Sequence, residues 1–277
     1  MKGIKTLRSL GFACLVALIV FYSAFPFYWA VVTSLKSGSA LFVAELFPAK
    51  PSFSNYIDVF RDQSFGRNIL NSVLTASLTV LLSLASAIPA SYALARTRFR
   101  GRRALLLAFL AISMFPQVAV LSGTFELIRA LGLYNTWEGL SLAYVSFTLP
   151  FTVWVLTSFM REIPKAIEEA AIMDGAGVIT RIFSIYLPLL APAVATTAML
   201  GFIAAWNEFL FALTLTLSDR ARTVPVAISQ MSGASQHELP WGNIMAASVT
   251  VTLPLILLVL VLQRKIVSGL TAGSVKG

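Results

Sequence analysis

The chain has 277 residues, of which 57% are hydrophobic and 12% charged, and its mean hydropathy is +0.82. These values exclude an ordinary soluble globular domain and point to an all-α integral membrane protein. One cysteine, Cys14, excludes an intrachain disulfide. One histidine, His237, leaves almost no material for histidine catalysis or a zinc site.

The first predicted span covers about residues 10–34. It is too long for a secretory h-region and lacks a convincing cleavage site, so it is read as an anchor. A polar segment from Lys36 to Arg67 follows, and the second span is predicted at about 69–95. After the cluster Arg96, Arg98, Arg100, Arg102 and Arg103, a third span runs over 104–125 with Pro116 inside it, and a fourth over 139–160 around Pro150. A charged island follows, holding Arg161, Glu162, Lys165, Glu168, Glu169, Asp174 and Arg181. The apolar run 183–217 is predicted to start along the interface at Pro188 and Pro192, with the fifth span proper beginning near Leu190. A polar loop, 218–240, leads to a sixth span at 241–262, and the tail 263–277 reads by composition as a frayed end.

The net charge of +9 could suggest nucleic acid, but the basic residues sit in short clusters between spans. Fourteen of the 21 lysines and arginines fall on the side that carries both termini and the charged island. The positive-inside rule therefore assigns that side to the cytosol. Prolines 116, 150, 188, 192 and 254 interrupt spans or their ends, which suits a moving or cavity-lined bundle and also occurs in ordinary spans.

Within the island, Pro164 suits a helix start, and Ile163, Ile167, Ala170, Ala171 and Asp174 follow one helical face. Gly175 supplies a stop, Gly177 leaves room for a sharp turn, and a second helix is predicted from Val178 to Ile185, ending at Leu187-Pro188. The small side chains of Ala170 and Ala171 would let this helix lie deep in another protein's groove. An amphipathic interfacial helix with no partner is the alternative.

The spacing Glu169-Ala170-Ala171, three residues, Gly175, nine residues, Ile185-x-Leu187-Pro188 resembles the EAA signature of permease subunits in bacterial and archaeal ABC importers. Met114-Phe-Pro116, Leu131-Gly-Leu133 with Asn135-Thr-Trp137, Ala205-Trp-Asn-Glu-Phe209 and the closing 269–277 look like the carbohydrate-uptake branch. Within it, the chain is similar to the smaller permease subunit of maltose and trehalose importers. The resemblance implies a type I importer fold, with residues 1–277 as a single six-span permease domain and a coupling-helix loop at about 161–188. It further implies that Glu168, Glu169, Ala170, Ala171, Met173, Asp174, Gly175, Gly177, Ile185, Leu187 and Pro188 take part in ATPase coupling.

The partners implied are a second permease subunit, two ATP-binding subunits, an extracytoplasmic sugar-binding protein and the lipid bilayer, with no nucleic acid. No cofactor is implied for this chain; ATP and Mg would sit on the partner ATPase. The sequence has no Gly-x-x-x-x-Gly-Lys-Ser/Thr phosphate loop, since Lys5-Thr6 and Lys36-Ser37 lack the preceding glycines. The subunit is therefore read as non-catalytic. A gradient-driven sugar carrier is the alternative; such carriers usually hold acidic residues at mid-membrane, and here only Glu208 lies inside a predicted span, nearer its outer end. A membrane-embedded enzyme lacks any nucleophile–base or metal set.

Glu208, Trp206 and Asn207 could line a sugar path, or Glu208 could reach water or fix a helix contact. Asn71, Gln117, Thr124 and Asn243 are further polar candidates that could equally be packing groups. The loop residues Ser232, Gly233, Ala234 and Ser235 read as a connector by composition and as a contact with the binding protein by resemblance. So does the tail, as a contact with the ATPase dimer. An α-linked glucose disaccharide such as trehalose or maltose is the substrate implied, and the bacterial or archaeal cytoplasmic membrane the location.

Overall fold

The computed structural model describes residues 2–62, 64–231 and 239–274, with side chains at 9–61, 64–231, 239–261 and 263. The regular structure among them is helical throughout. Four helices carry apolar stretches long enough to cross a membrane: α1 (Lys2–Ser34), α3 (Phe65–Arg96), α6 (Trp137–Glu162) and α13 (Trp241–Ser274). About 20 residues at 1.5 Å rise span the ~30 Å hydrocarbon layer. Two further spans are bent pairs. Helices α4 (Arg102–Ser113) and α5 (Gln117–Ala130) meet at 98°, and the segment Val178–Leu189 meets α10 (Ala191–Trp206) at 79°. Short helices complete the chain: α2 (Ser54–Asp62), α7 (Lys165–Met173), α8 (Val178–Thr180), α9 (Leu187–Leu189), α11 (Leu210–Leu215) and α12 (Val224–Ser229).

Three expectations are corrected. The third span, 104–125, is not one helix but breaks between Ser113 and Gln117. Met114 and Phe115 donate to Ala111 and Ile112 three residues back, tightening the last turn, and Pro116 has no N–H to continue the ladder. The fifth apolar run breaks again after Trp206, so that only a six-residue helix, α11, follows. The tail is helical as far as Ser274 rather than frayed from 263.

The described residues form two compact units: residues 1–65 with 228–253, and residues 66–227 with 254–277. In the first, the turn after α1 is held by two buried polar side chains. Lys36, 2% exposed, donates to the carbonyls of Val43 (2.9 Å) and Glu45 (3.1 Å) and lies 5.4 Å from the Trp29 ring centroid. Those carbonyls and the ring face replace the water its ammonium gives up. Asn55 donates to the carbonyls of Ser34 and Lys36, both at 2.7 Å, and Gly242 packs directly on its carboxamide.

In the second unit, α4, α5, α10 and α11 pack around α6. Small polar side chains stitch α6 to α3. Ser83 and Thr148 share a hydrogen bond at 2.7 Å, and Ser141 donates to the Thr75 carbonyl at 3.2 Å. Groups of this size let helix backbones approach where apolar driving force between spans is weak. Two apolar clusters result. One gathers Tyr92, Leu94, Val153, Leu156, Met160 and Tyr186 beside the charged loop; the other gathers Ala76, Ile128, Leu140, Tyr144, Phe211 and Leu215 near the opposite ends of the same helices.

Candidate functional site

The loop after α6 begins where Arg96, from the end of α3, donates to the carbonyls of Met160 and Ile163. A guanidinium at this point satisfies carbonyls that the end of α6 leaves open. Pro164 then precedes α7 directly, in extended conformation. The helix stops by a Schellman arrangement: Gly175 donates to Ile172 at 3.0 Å and Ala176 to Ala171 at 2.9 Å, with Gly175 at φ +78°. Gly177, by contrast, has φ −66°, a value open to any residue, and a Cβ there would meet nothing.

One carboxylate ties this loop to the spans. Glu168 accepts from the Tyr92 hydroxyl at 2.7 Å and the Tyr186 hydroxyl at 3.0 Å, and pairs with Arg181 at 3.3 Å. The tyrosine rings meet edge-on at 5.5 Å, Arg96 lies over Tyr186 at 5.1 Å, and Arg181 lies 6.0 Å from the centre of Tyr92. The backbone from Arg181 to Tyr186 is a π-helix, whose wider turn brings residues five apart onto one side. On an α-helix, Arg181 and Tyr186 would point about 140° apart. The π turn lets both reach Glu168.

The signature residues separate into two sets. Glu169, Ala170, Met173, Asp174, Gly175, Gly177 and Pro188 are exposed, while Glu168, Ile185 and Leu187 are half-buried. Ala171 is 7% exposed, so its small side chain serves packing inside this chain, and only Ala170 is free to meet a partner. The tip is apolar and bare: Met173 is 86% exposed and Ile179 74%, with Ile172 and Val178 beside them. The sequence reading missed Tyr92, Arg96 and Tyr186. Tyr92 lies 76 residues from Glu168, and no local spacing signals such a contact.

Several of the polar residues expected along a transport path engage backbone groups near them. Asn71 donates to the carbonyls of Asp219 (3.2 Å) and Arg222 (3.0 Å), which fastens α3 to the loop before α12. Glu208, 6% exposed, accepts from the amides of Phe211 (2.8 Å) and Ala212 (3.1 Å) and so caps α11. Trp206 is buried and stacks on Phe202, and Asn207 is exposed with its amide on the Ile203 carbonyl. Gln117 is exposed, Thr124 donates to the Val120 carbonyl, and Asn243 is half-buried. Ser232, Gly233, Ala234 and Ser235 lie outside the described residues. Among those described, no three His, Cys, Asp or Glu side chains gather as a metal site would require.

The family model described as binding-protein-dependent transport system inner membrane component matches residues 87–271. The trehalose transport system permease protein of Mycobacterium tuberculosis is 42% identical over 270 residues, covering 98% of each chain. The trehalose/maltose transport system permease protein of Thermococcus litoralis is 43% identical over 255 residues, covering 91% of each. A crystal structure of a bacterial ABC transporter involved in the import of the acidic polysaccharide alginate contains a chain of the same fold. Its TM-score is 0.81, at 24% identity, over 94% of this chain and 96% of that one.

Proposed function

The chain belongs to the binding-protein-dependent transport inner membrane components and is a non-catalytic, multi-pass permease subunit of an ABC importer, and from that premise we propose that it carries a sugar, with trehalose or maltose the best-supported cargo. The names and near-full-length identity of the two relatives carry the choice of substrate. In this reading residues 1–277 work as one six-span domain with both termini and the 161–188 loop in the cytosol, supported by the distribution of basic residues. A second, related permease completes the pathway, two ATP-binding subunits hold ATP and Mg, and an external binding protein delivers the sugar near residues 232–235.

The bare apolar tip of the loop carries the coupling assignment. Ile172, Met173, Val178 and Ile179 present a compact apolar surface next to the left-handed Gly175 turn, suited to a cleft in the ATPase. Closure of the ATP-loaded subunits would draw α7 along. The Glu168 linkage would pass that displacement to α3 through Tyr92 and to the π segment, and hence α10, through Tyr186 and Arg181. ATP and the loaded binding protein can then each select one pore state by differential affinity.

The test is reconstitution of the complete complex in liposomes with ATP inside and binding protein outside. Trehalose or maltose should raise ATP hydrolysis and accumulate in the lumen. Uptake by this permease without any ATPase, driven by a proton or sodium gradient, would overturn the reading. Stimulation only by sugars that are not glucose disaccharides would overturn the substrate alone.

A further inference from the structure

Beside the loop, a groove of about 860 Å³ runs between the end of α3, the start of α4 and α7. Its mouth carries Arg96, Arg98, Arg102, Arg161, Lys165 and Arg181 against only two carboxylates, Glu168 and Glu169. Of these six cations only Arg181 has a carboxylate partner among the described residues, and that partner, Glu168, is already engaged by two tyrosines. Arg96, Arg102 and Arg161 each donate to backbone carbonyls, while Arg98 and Lys165 have no partner among the described residues. This excess of positive charge is matched to a phosphate group, which guanidinium binds through paired N–H donors.

The other end of the groove says where that phosphate comes from. The lining continues along α3 past Ala93 to Pro89, seven residues before Arg96, which is about 10 Å into the apolar span. A soluble protein reaches the mouth but not this apolar shaft. A charged mouth joined to an apolar shaft fits a molecule with both parts. We infer that the groove holds an anionic glycerophospholipid, its phosphate among Arg98, Arg102 and Lys165 and an acyl chain along Ala93 and Pro89. The inference rests on α3 being a membrane span, not on the coupling role given to the loop.

The complete importer is placed in nanodiscs of phosphatidylcholine alone or mixed with phosphatidylglycerol, and the lipid retained after extraction is measured by native mass spectrometry. Wild type should retain phosphatidylglycerol selectively. Arg98→Gln with Lys165→Gln should weaken retention about 30-fold, on the usual contribution of each basic residue near an anionic headgroup. Ala93→Phe, which fills the shaft without changing charge, should weaken it as well. Equal retention of both lipids overturns the inference. Displacement by millimolar inorganic phosphate would make this a site for a free anion and also overturn it. So would a charge variant that keeps its phosphatidylglycerol but sheds the ATPase subunits, because the groove would then be part of the ATPase contact. Because that last outcome is read from lipid and subunits separately, failure here leaves the transport reading standing.

Discussion

Glu168 holds three partners with two oxygens, so the effect of replacing it depends on which partner is left without an acceptor. Glu168→Gln keeps one carbonyl oxygen for a tyrosine but turns an NH2 toward the other hydroxyl and removes the charge facing Arg181. The pair is mostly buried, at 16% and 15% side-chain exposure, so an unmatched guanidinium there costs about 1–3 kcal/mol. That is enough to loosen α7 without unfolding the spans. The complex should still assemble and hydrolyse ATP, while sugar moved per ATP falls about fivefold or more. Tyr92→Phe, which removes one neutral donor, should fall between the variant and wild type. An unchanged transport-to-ATPase ratio in Glu168→Gln would remove Glu168 from the coupling path. The motif itself named Glu169, which is exposed. The residue doing the fastening sits one place earlier and was distinguishable only once Tyr92 and Tyr186 were seen to converge on it.

At the level of elements, the corner between α5 and α6 shows what a local sequence reading captures and what it does not. Gly132 turns the chain at φ +70°, and Asn135, at φ +59°, accepts from the amides of Leu217 (2.8 Å) and Ser218 (3.0 Å). Thr136 then caps α6 by accepting from Gly139 at 3.1 Å. The stretch from Leu131 to Trp137 entered the sequence reading as a family marker, yet each polar residue in it has a structural job. Gly139 is the tightest point: a Cβ would lie 2.2 Å from the Leu133 carbonyl oxygen, which is backbone and cannot swing away. Gly139→Ala should therefore destabilise the chain by about 2 kcal/mol or more, read as a lower melting temperature and reduced membrane yield. A variant as stable as wild type would mean that the corner relaxes freely. The four unbroken spans were legible because about 20 apolar residues in a row is a property of composition. Pro116 marked an interruption but not the 98° bend, and nothing marked the break after Trp206, since hydropathy records length and not direction. The break after Trp206 is stabilised by the Glu208 carboxylate capping α11, an alternative the sequence left open beside a sugar contact.

At the scale of the whole molecule, the loop answers to two requirements that separate cleanly by residue. It grips its own spans through Glu168, Ala171 and Tyr186, and in the proposed coupling role it presents a face to the ATPase through Met173 and its neighbours. The distribution of basic residues points the loop to the cytosolic side, and the spacing of its glycine and alanines resembles a family signature. Neither could say which residues grip and which present, because that depends on contacts across the fold. The division makes a prediction that differs from the one for Glu168. Met173 is 86% exposed, so Met173→Asp should change the stability of this chain by no more than about 0.5 kcal/mol. If the tip seats in the ATPase, the same change forfeits about 1.5–3 kcal/mol of apolar burial and adds a carboxylate to desolvate. The ATPase subunits should then be lost on purification, and transport and membrane-bound ATP hydrolysis should fall together. In Glu168→Gln the subunits should stay and only the ratio should fall. Pull-down of the ATPase through a tag on this chain, run beside the transport assay, separates the two outcomes. Retention of the ATPase with full transport in Met173→Asp would place the docking surface elsewhere on the chain.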